Sequence, residues 1–192
     1  MFGGLVYEKL LTQIVDFYFD DYEDHGSEFE PFFLLNDILR FWRTLTLNYE
    51  HDRHRLQVAG TDARGDAVAK SALKNYKLKY SRLLICFSMV AWLVSVQNPG
   101  KEGIVLACRM TPAERLKSVG AANGKDDVVE ELLAMYDDFL DVTQGEKAKV
   151  LARFREKTDR EELTERATLF GDLFSELVND VAREQIRRYL TV

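Results

Sequence analysis

Four polar side chains interrupt an otherwise apolar stretch, PFFLLNDILRFWRTLTLNYE at 31–50: Asn36, Asp37, Arg40 and Arg43. Asn36, Arg40 and Arg43 fall at i, i+4 and i+7, so a helix would project all three from one strip, with Asp37 and Thr44 beside them. Two guanidinium groups next to an amide make a grip for phosphate or carboxylate. Arg40 lies one turn from Asp37, its natural local partner. Arg43 is six positions away, and its five donors need a distant acid or a ligand anion. Phe32, Phe33, Leu34, Leu35, Ile38, Leu39, Phe41, Trp42, Leu45 and Leu47 make the same helix apolar on nearly every side, so it is expected to be buried. An unmatched buried guanidinium costs on the order of several kcal/mol, so something has to meet the strip.

A second polar group lies in LKNYKLKYSRLLICFS at 73–88, where Lys74, Asn75, Lys77 and Arg82 are the candidates. At 100° per residue, Leu73, Tyr76, Tyr80, Leu83, Leu84 and Phe87 share one face, while Lys70, Lys74, Lys77 and Ser81 line a second and Asn75, Lys79 and Arg82 a third. For Lys70 and Lys74 the plainer reading is a solvated face.

Other chemistries are excluded by pattern. There is no glycine-rich phosphate loop, nucleophile elbow, HExxH or paired-cysteine metal motif. Asp20-Asp21, Asp126-Asp127 and Asp137-Asp138 are paired acids of the kind that hold catalytic metals, but each falls in an acidic loop or on a polar helix face without a basic or serine partner. Helical nucleases of the HEPN class space an arginine and a histidine by four to six residues. Here seven separate Arg43 from His51, and Arg53 adjoins His54, so that reading is the weakest. His25 reads as a solvated loop residue. Cys86 and Cys108 lack ligand spacing and read as free thiols in apolar surroundings, which suits a reducing cytoplasm.

The elements that must position these residues are helical. Three prolines, eleven glycines and 30% charged residues, with Leu, Ala, Glu, Lys and Arg at helical spacing, point to an all-α multi-helix bundle. We expect a single domain over 1–192, of six to seven helices, built around long helices at about 32–52 and 67–96, with a mobile connection at 53–66 and a C-terminal helical part over 97–192. Leu5 to Phe19 forms an amphipathic helix. Asn98-Pro99-Gly100 reads as a turn. Thr111, Pro112 and Glu114 have the form of a capping box, with the helix ending at Gly120. Further helices are expected over 125–142, 146–157 and 159–190, and Gly171 marks a close helix contact. No signal peptide is expected, and the longest apolar run, Leu83 to Val96, is shorter than the roughly 20 residues of a membrane-spanning helix.

The net charge of −6 is unevenly spread: residues 1–35 carry −7, 36–85 carry +5 and the remainder −4. An acidic chain with a basic middle is a poor general nucleic-acid binder but can hold a local anion site.

The two polar groups together carry a resemblance. NDILRFWRTLTLNYE followed by LKNYKLKYSRLLICFS resembles the helical C-terminal region of bacterial nucleotidyltransferases of the DNA polymerase β superfamily, which show NDI-x-RYWRT followed by a (R/K)N-x-K-L-(R/K)-x-SR segment. Asn36, Asp37, Ile38, Arg40, Trp42, Arg43, Thr44, Asn48, Tyr49 and Glu50 match the first run, and Lys74, Asn75, Lys77, Leu78, Lys79, Ser81 and Arg82 the second. The likeness covers about residues 5 to 95.

The resemblance implies that the two motifs pack together and hold a nucleotide or acceptor, with Arg40, Arg43, Lys77 and Arg82 supplying charge and Asn36, Asp37 and Asn75 orientation. It also implies Mg²⁺ and a nucleoside triphosphate wherever a catalytic domain is present. That domain needs a Gly-Ser turn and closely spaced carboxylates, which this chain lacks. It is expected before Met1 or on a separate chain, so the 192 residues are expected to transfer no nucleotide alone. The alternative is a non-enzymatic module that partners a separately encoded catalytic protein. No membrane association is expected.

Overall fold

The long apolar run from Leu83 to Val96 becomes the axis of the molecule. In the computed structural model, which describes residues 2–20, 30–58 and 64–186, those residues form nine α-helices and one π-helical turn, and no strand occurs among them. In order these are α1 (Phe2–Phe17), α2 (Phe32–Val58), α3 (Arg64–Lys77), the π turn (Leu78–Arg82), α4 (Leu83–Ser95), α5 (Lys101–Arg109), α6 (Pro112–Asn123), α7 (Asp126–Thr143), α8 (Lys147–Arg155) and α9 (Lys157–Val181). The all-α multi-helix bundle stands, with more helices than expected.

α3, the π turn and α4 run on as one long helix, and the others wrap it. α4 packs against α2, α6 and α9; α3 packs against α2 and α8; α1 lies on α5. Gly65–Ser95 is long and apolar enough to cross a membrane by length and composition, yet 56% of its apolar window is buried by the neighbouring helices, the environment of a core helix. The π turn carries Tyr80 inward, where its ring stacks on Phe139 at 4.9 Å and on Phe170 at 4.5 Å. From there ring contacts continue through Phe174 and Phe87 to Trp42, so one aromatic chain links the centre of the bundle to α2.

Three local expectations hold and several are corrected. Thr111 and Glu114 form the capping box, Glu114 N–H to Thr111 Oγ1 at 3.2 Å and Thr111 N–H to Glu114 Oε2 at 2.7 Å. Asn98 turns the chain with a positive φ of 46°. Cys86 is buried and free, although the equally free Cys108 is only half-buried. The helix after the box does not stop at Gly120. It ends at Asn123, where Gly124 takes the left-handed φ of 64° that favours glycine. Gly120 is instead buried inside the helix against α7. The helix α5, between the Asn98 turn and the capping box, was not foreseen.

The final long helix stops at Val181 rather than near 190. There Ala182 becomes extended and the Arg183 N–H turns to the Val94 carbonyl at 3.1 Å. The supposed connection at 53–66 is mostly helix, since α2 continues to Val58 and α3 begins at Arg64; 59–63 lie outside the described residues, as does the loop containing His25.

The largest correction concerns α2. Among its described side chains only Leu35 is deeply buried, whereas Phe33, Phe41 and Leu47 are 73%, 56% and 68% exposed. An apolar composition all round did not make it a core helix, because its outer face has no neighbour among the described residues to bury it. The polar strip therefore lies at the surface, and the expected cost of burying Arg40 and Arg43 does not arise. Among the described residues the buried cation is Arg115 of α6, near the end of α5. Its Nε donates to Ser88 Oγ at 3.1 Å and its Nη1 to the carbonyls of Ala107 and Met110 at 3.0 and 2.9 Å. Burial lowers its pKa, and the carbonyl end of α5 offers the negative dipole that compensates.

Candidate functional site

α2 runs antiparallel to the α3–α4 helix: Leu35 lies near Leu93, the Trp42 ring meets Phe87 edge-on at 5.6 Å, and Asp52 Oδ2 accepts from Lys74 Nζ at 2.8 Å. The two polar motifs are thus carried on helices that pack side by side. Their residues do not converge on one point. At about 1.5 Å per residue, the Asp37 end and the Asp52–Lys74 end of α2 are about 22 Å apart, too far for one small-molecule site.

At the first end, Asp37 Oδ1 accepts from Arg40 at 3.2 Å and Asp37 Oδ2 from the Tyr18 hydroxyl at 2.9 Å. Burial first, then the Asp37 hydrogen bond and charge, raises the Tyr18 pKa. Arg40 is spent on the partner expected from its spacing. At the other end Lys74 is paired with Asp52, and Tyr49 and Ser71 hydroxyls lie 3.5 Å apart. Asn36, Asn75, Lys77 and Arg82 make no side-chain hydrogen bond or ion pair among the described residues; Lys77 and Arg82 are exposed, Asn36 and Asn75 half-buried.

Between the two ends, α2, α4 and α9 enclose a cavity of about 330 Å³. Trp42 and Arg43 line it from α2, Phe87 and Val90 from α4, and Ser175 and Asn179 from α9. The α2 residues reach it because positions 35, 39 and 42 share the inner strip of the helix while Arg43 is the next residue outward. Ser175 and Asn179 are i and i+4 on α9, so their polar ends stand on one strip facing α2. Arg43 is exposed and makes no ion pair or side-chain hydrogen bond among the described residues. An aromatic and aliphatic lining with a guanidinium at the rim suits a flat ring carrying an anionic group, with the hydroxyl and amide across the cleft to orient it. The volume is at the low end for ligand pockets, room for a ring rather than a whole nucleotide.

Of the eight residues read from the sequence, only Arg43 lines this cavity. Trp42 belonged to the matched motif without a role, and Ser175 and Asn179 lie more than 130 positions from Trp42 with no motif to link them. No family model, curated protein or solved structure matches the chain.

Proposed function

We propose that this chain is a helical binding domain, without transfer chemistry of its own, whose α2–α4–α9 cleft takes the ring of a nucleotide and whose Arg43 meets its phosphates. The observation that carries the reading is the pairing of Trp42 with an Arg43 that has no counter-ion among the described residues, at the mouth of a lined cavity. The resemblance of the two motifs to nucleotidyltransferase helical regions supports it. In that setting the domain would work beside a catalytic domain, on the same or another chain, that brings the carboxylates, Mg²⁺ and nucleoside triphosphate. Asn36, Asp37, Asn75, Lys77 and Arg82 then belong to the surface presented to that domain or to the acceptor. A bacterial, cytoplasmic setting fits this reading.

Calorimetric titration of the chain with nucleoside triphosphates and with inorganic triphosphate tests it. The reading expects nucleotides to bind more tightly than triphosphate alone and Trp42→Ala to remove that preference. Equal affinity for both ligands, unaffected by Trp42→Ala, would count against a ring-binding cleft.

A further inference from the structure

The π turn changes which side chains of the lysine-rich helix stand in line. Such a turn takes up one residue more than an α-helix over the same arc. Arg82, its last residue, therefore stands to Lys74 as i+7 rather than i+8 and joins the lysine side of the helix. Lys79 points the other way, to the Thr168 hydroxyl of α9 at 2.8 Å. Lys70, Lys74, Lys77 and Arg82 thus form one row, about 17 Å long at about 1.5 Å per residue.

Lys70, Lys77 and Arg82 are exposed and make no ion pair among the described residues, while Lys74 holds Asp52 of α2. Asp66, one turn before Lys70, is taken by Arg155 of α8 at 2.8 Å. These five cations and two carboxylates leave +3 on a chain whose net charge is −6. The acidic helix α7 packs on the π turn, yet none of its carboxylates is ion-paired with the row. α2 supplies the rim. Its Phe41, Leu45, Asn48 and Asp52 share a strip at i, i+4, i+7 and i+11, and the Asp52–Lys74 bond sets that strip beside the row. Because the two helices run antiparallel, Phe41 comes level with Ile85, one turn beyond Arg82. Phe41 is 56% exposed and Ile85 43%.

A straight file of cations leading to an exposed aromatic ring is how proteins hold the backbone of a single strand and stack one of its bases. A duplex would keep its bases from Phe41, and a polycarboxylate would leave that ring unused. We propose that Lys70, Lys77 and Arg82 hold the phosphates of a single-stranded nucleic acid, with a base stacked on Phe41. The row shares no residue with the Trp42–Arg43 cleft, so strand binding and nucleotide binding stand or fall separately.

Fluorescence anisotropy of the full chain with a labelled oligouridylate of about 12 nucleotides tests the assignment. Affinity should fall with salt at a log–log slope of about −2, that of three phosphates on a single strand. Lys77→Gln with Arg82→Gln should bring the slope to about −0.7 and weaken binding by roughly tenfold at low salt. Phe41→Ala should weaken it by at least about fivefold with the slope unchanged, since stacking releases no counterion. Lys147→Gln with Lys149→Gln removes the same charge from the start of α8 and should change affinity by less than about twofold. Every substituted side chain is exposed, and circular dichroism with a melting curve verifies the fold of each variant. No strand binding at low salt, a slope untouched by Lys77→Gln with Arg82→Gln, or an equal loss in the α8 variant would overturn the proposal. So would a matched duplex, or phosphatidylglycerol vesicles, binding as tightly as the strand and losing affinity in the same Lys77 and Arg82 variant.

Discussion

Arg183 grips Glu30 with both ends of its guanidinium, Nη2 to Oε2 at 2.7 Å and Nη1 to Oε1, across 153 residues of sequence. The side chains are 19% and 9% exposed, and the Arg183 N–H also bonds the Val94 carbonyl, so one residue ties the start of α2 to the ends of α4 and α9. α2, which buries so little of itself, is held at this end by an ion pair. That end also carries the first turns of the helix whose later residues wall the cleft.

Arg183→Ala should therefore cost about 3–5 kcal/mol in denaturant unfolding, because it leaves the Glu30 carboxylate buried without its partner. The Arg183→Ala, Glu30→Ala double variant should lose less than the sum of the two single changes. Additive losses would show that the pair carries no coupling.

Arg115 tests a different kind of buried charge. Arg115→Ala strands the Ser88 hydroxyl and the Ala107 and Met110 carbonyls, and should destabilise by roughly 2–4 kcal/mol. Arg115→Lys should recover only part, since an ammonium cannot reproduce the fork that reaches all three. Thermal or urea unfolding of both variants measures this, and full recovery by lysine would contradict the assigned geometry.

Two glycines should respond in opposite ways to alanine. A Cβ on Gly120 would meet Val129 Cγ2 at 3.0 Å and Asp126 Oδ1 at 3.2 Å, while on Gly171 it would meet only Leu83 Cδ1 at 4.0 Å. Gly120→Ala should lose about 1–2 kcal/mol by forcing α6 from α7. Gly171→Ala should be neutral or gain up to about 1 kcal/mol from the lower entropy of the unfolded chain. Melting curves of the two variants decide it.

At the α6 cap, Thr111→Ala should cost about 1 kcal/mol. The backbone hydrogen bond from Thr111 holds the Glu114 pKa below 4.5, its ordinary value. A carboxyl with a depressed pKa stabilises the fold above its unfolded pKa, and that contribution fades as pH falls through the folded pKa. The stability difference between the wild-type chain and Glu114→Gln should accordingly be present at pH 7 and shrink below about pH 4.5. A difference independent of pH would show that the carboxylate charge is not what matters.

Local features were the legible ones. The capping box, the Asn98 turn, the axis helix and the Asp37–Arg40 pairing follow from interactions within a few residues, where spacing alone decides who can meet. Burial was not legible in the same way: Phe33, Phe41 and Leu47 look like core residues, yet no helix among the described residues faces them and they stand exposed. Arg115 could have been found, because it lies one turn before Val119 on the apolar face of α6. The α9 wall of the cleft could not, since nothing in residues 31–50 encodes that Ser175 and Asn179 fold against them. Gly120 was read as the helix end, a place that Gly124 takes, because a glycine that ends a helix and one that lets two helices touch look alike without φ.

The central claim concerns Arg43, and one pair of measurements bears on it most directly: thermal melts and calorimetric nucleotide titrations of Arg43→Ala beside the wild-type chain. An exposed guanidinium reserved for a ligand anion predicts nearly unchanged stability and nucleotide binding weakened by about 1.5–3 kcal/mol, the scale of a charge-assisted hydrogen bond. A loss of several kcal/mol in stability with no change in nucleotide affinity, or no nucleotide binding by either protein, would contradict it.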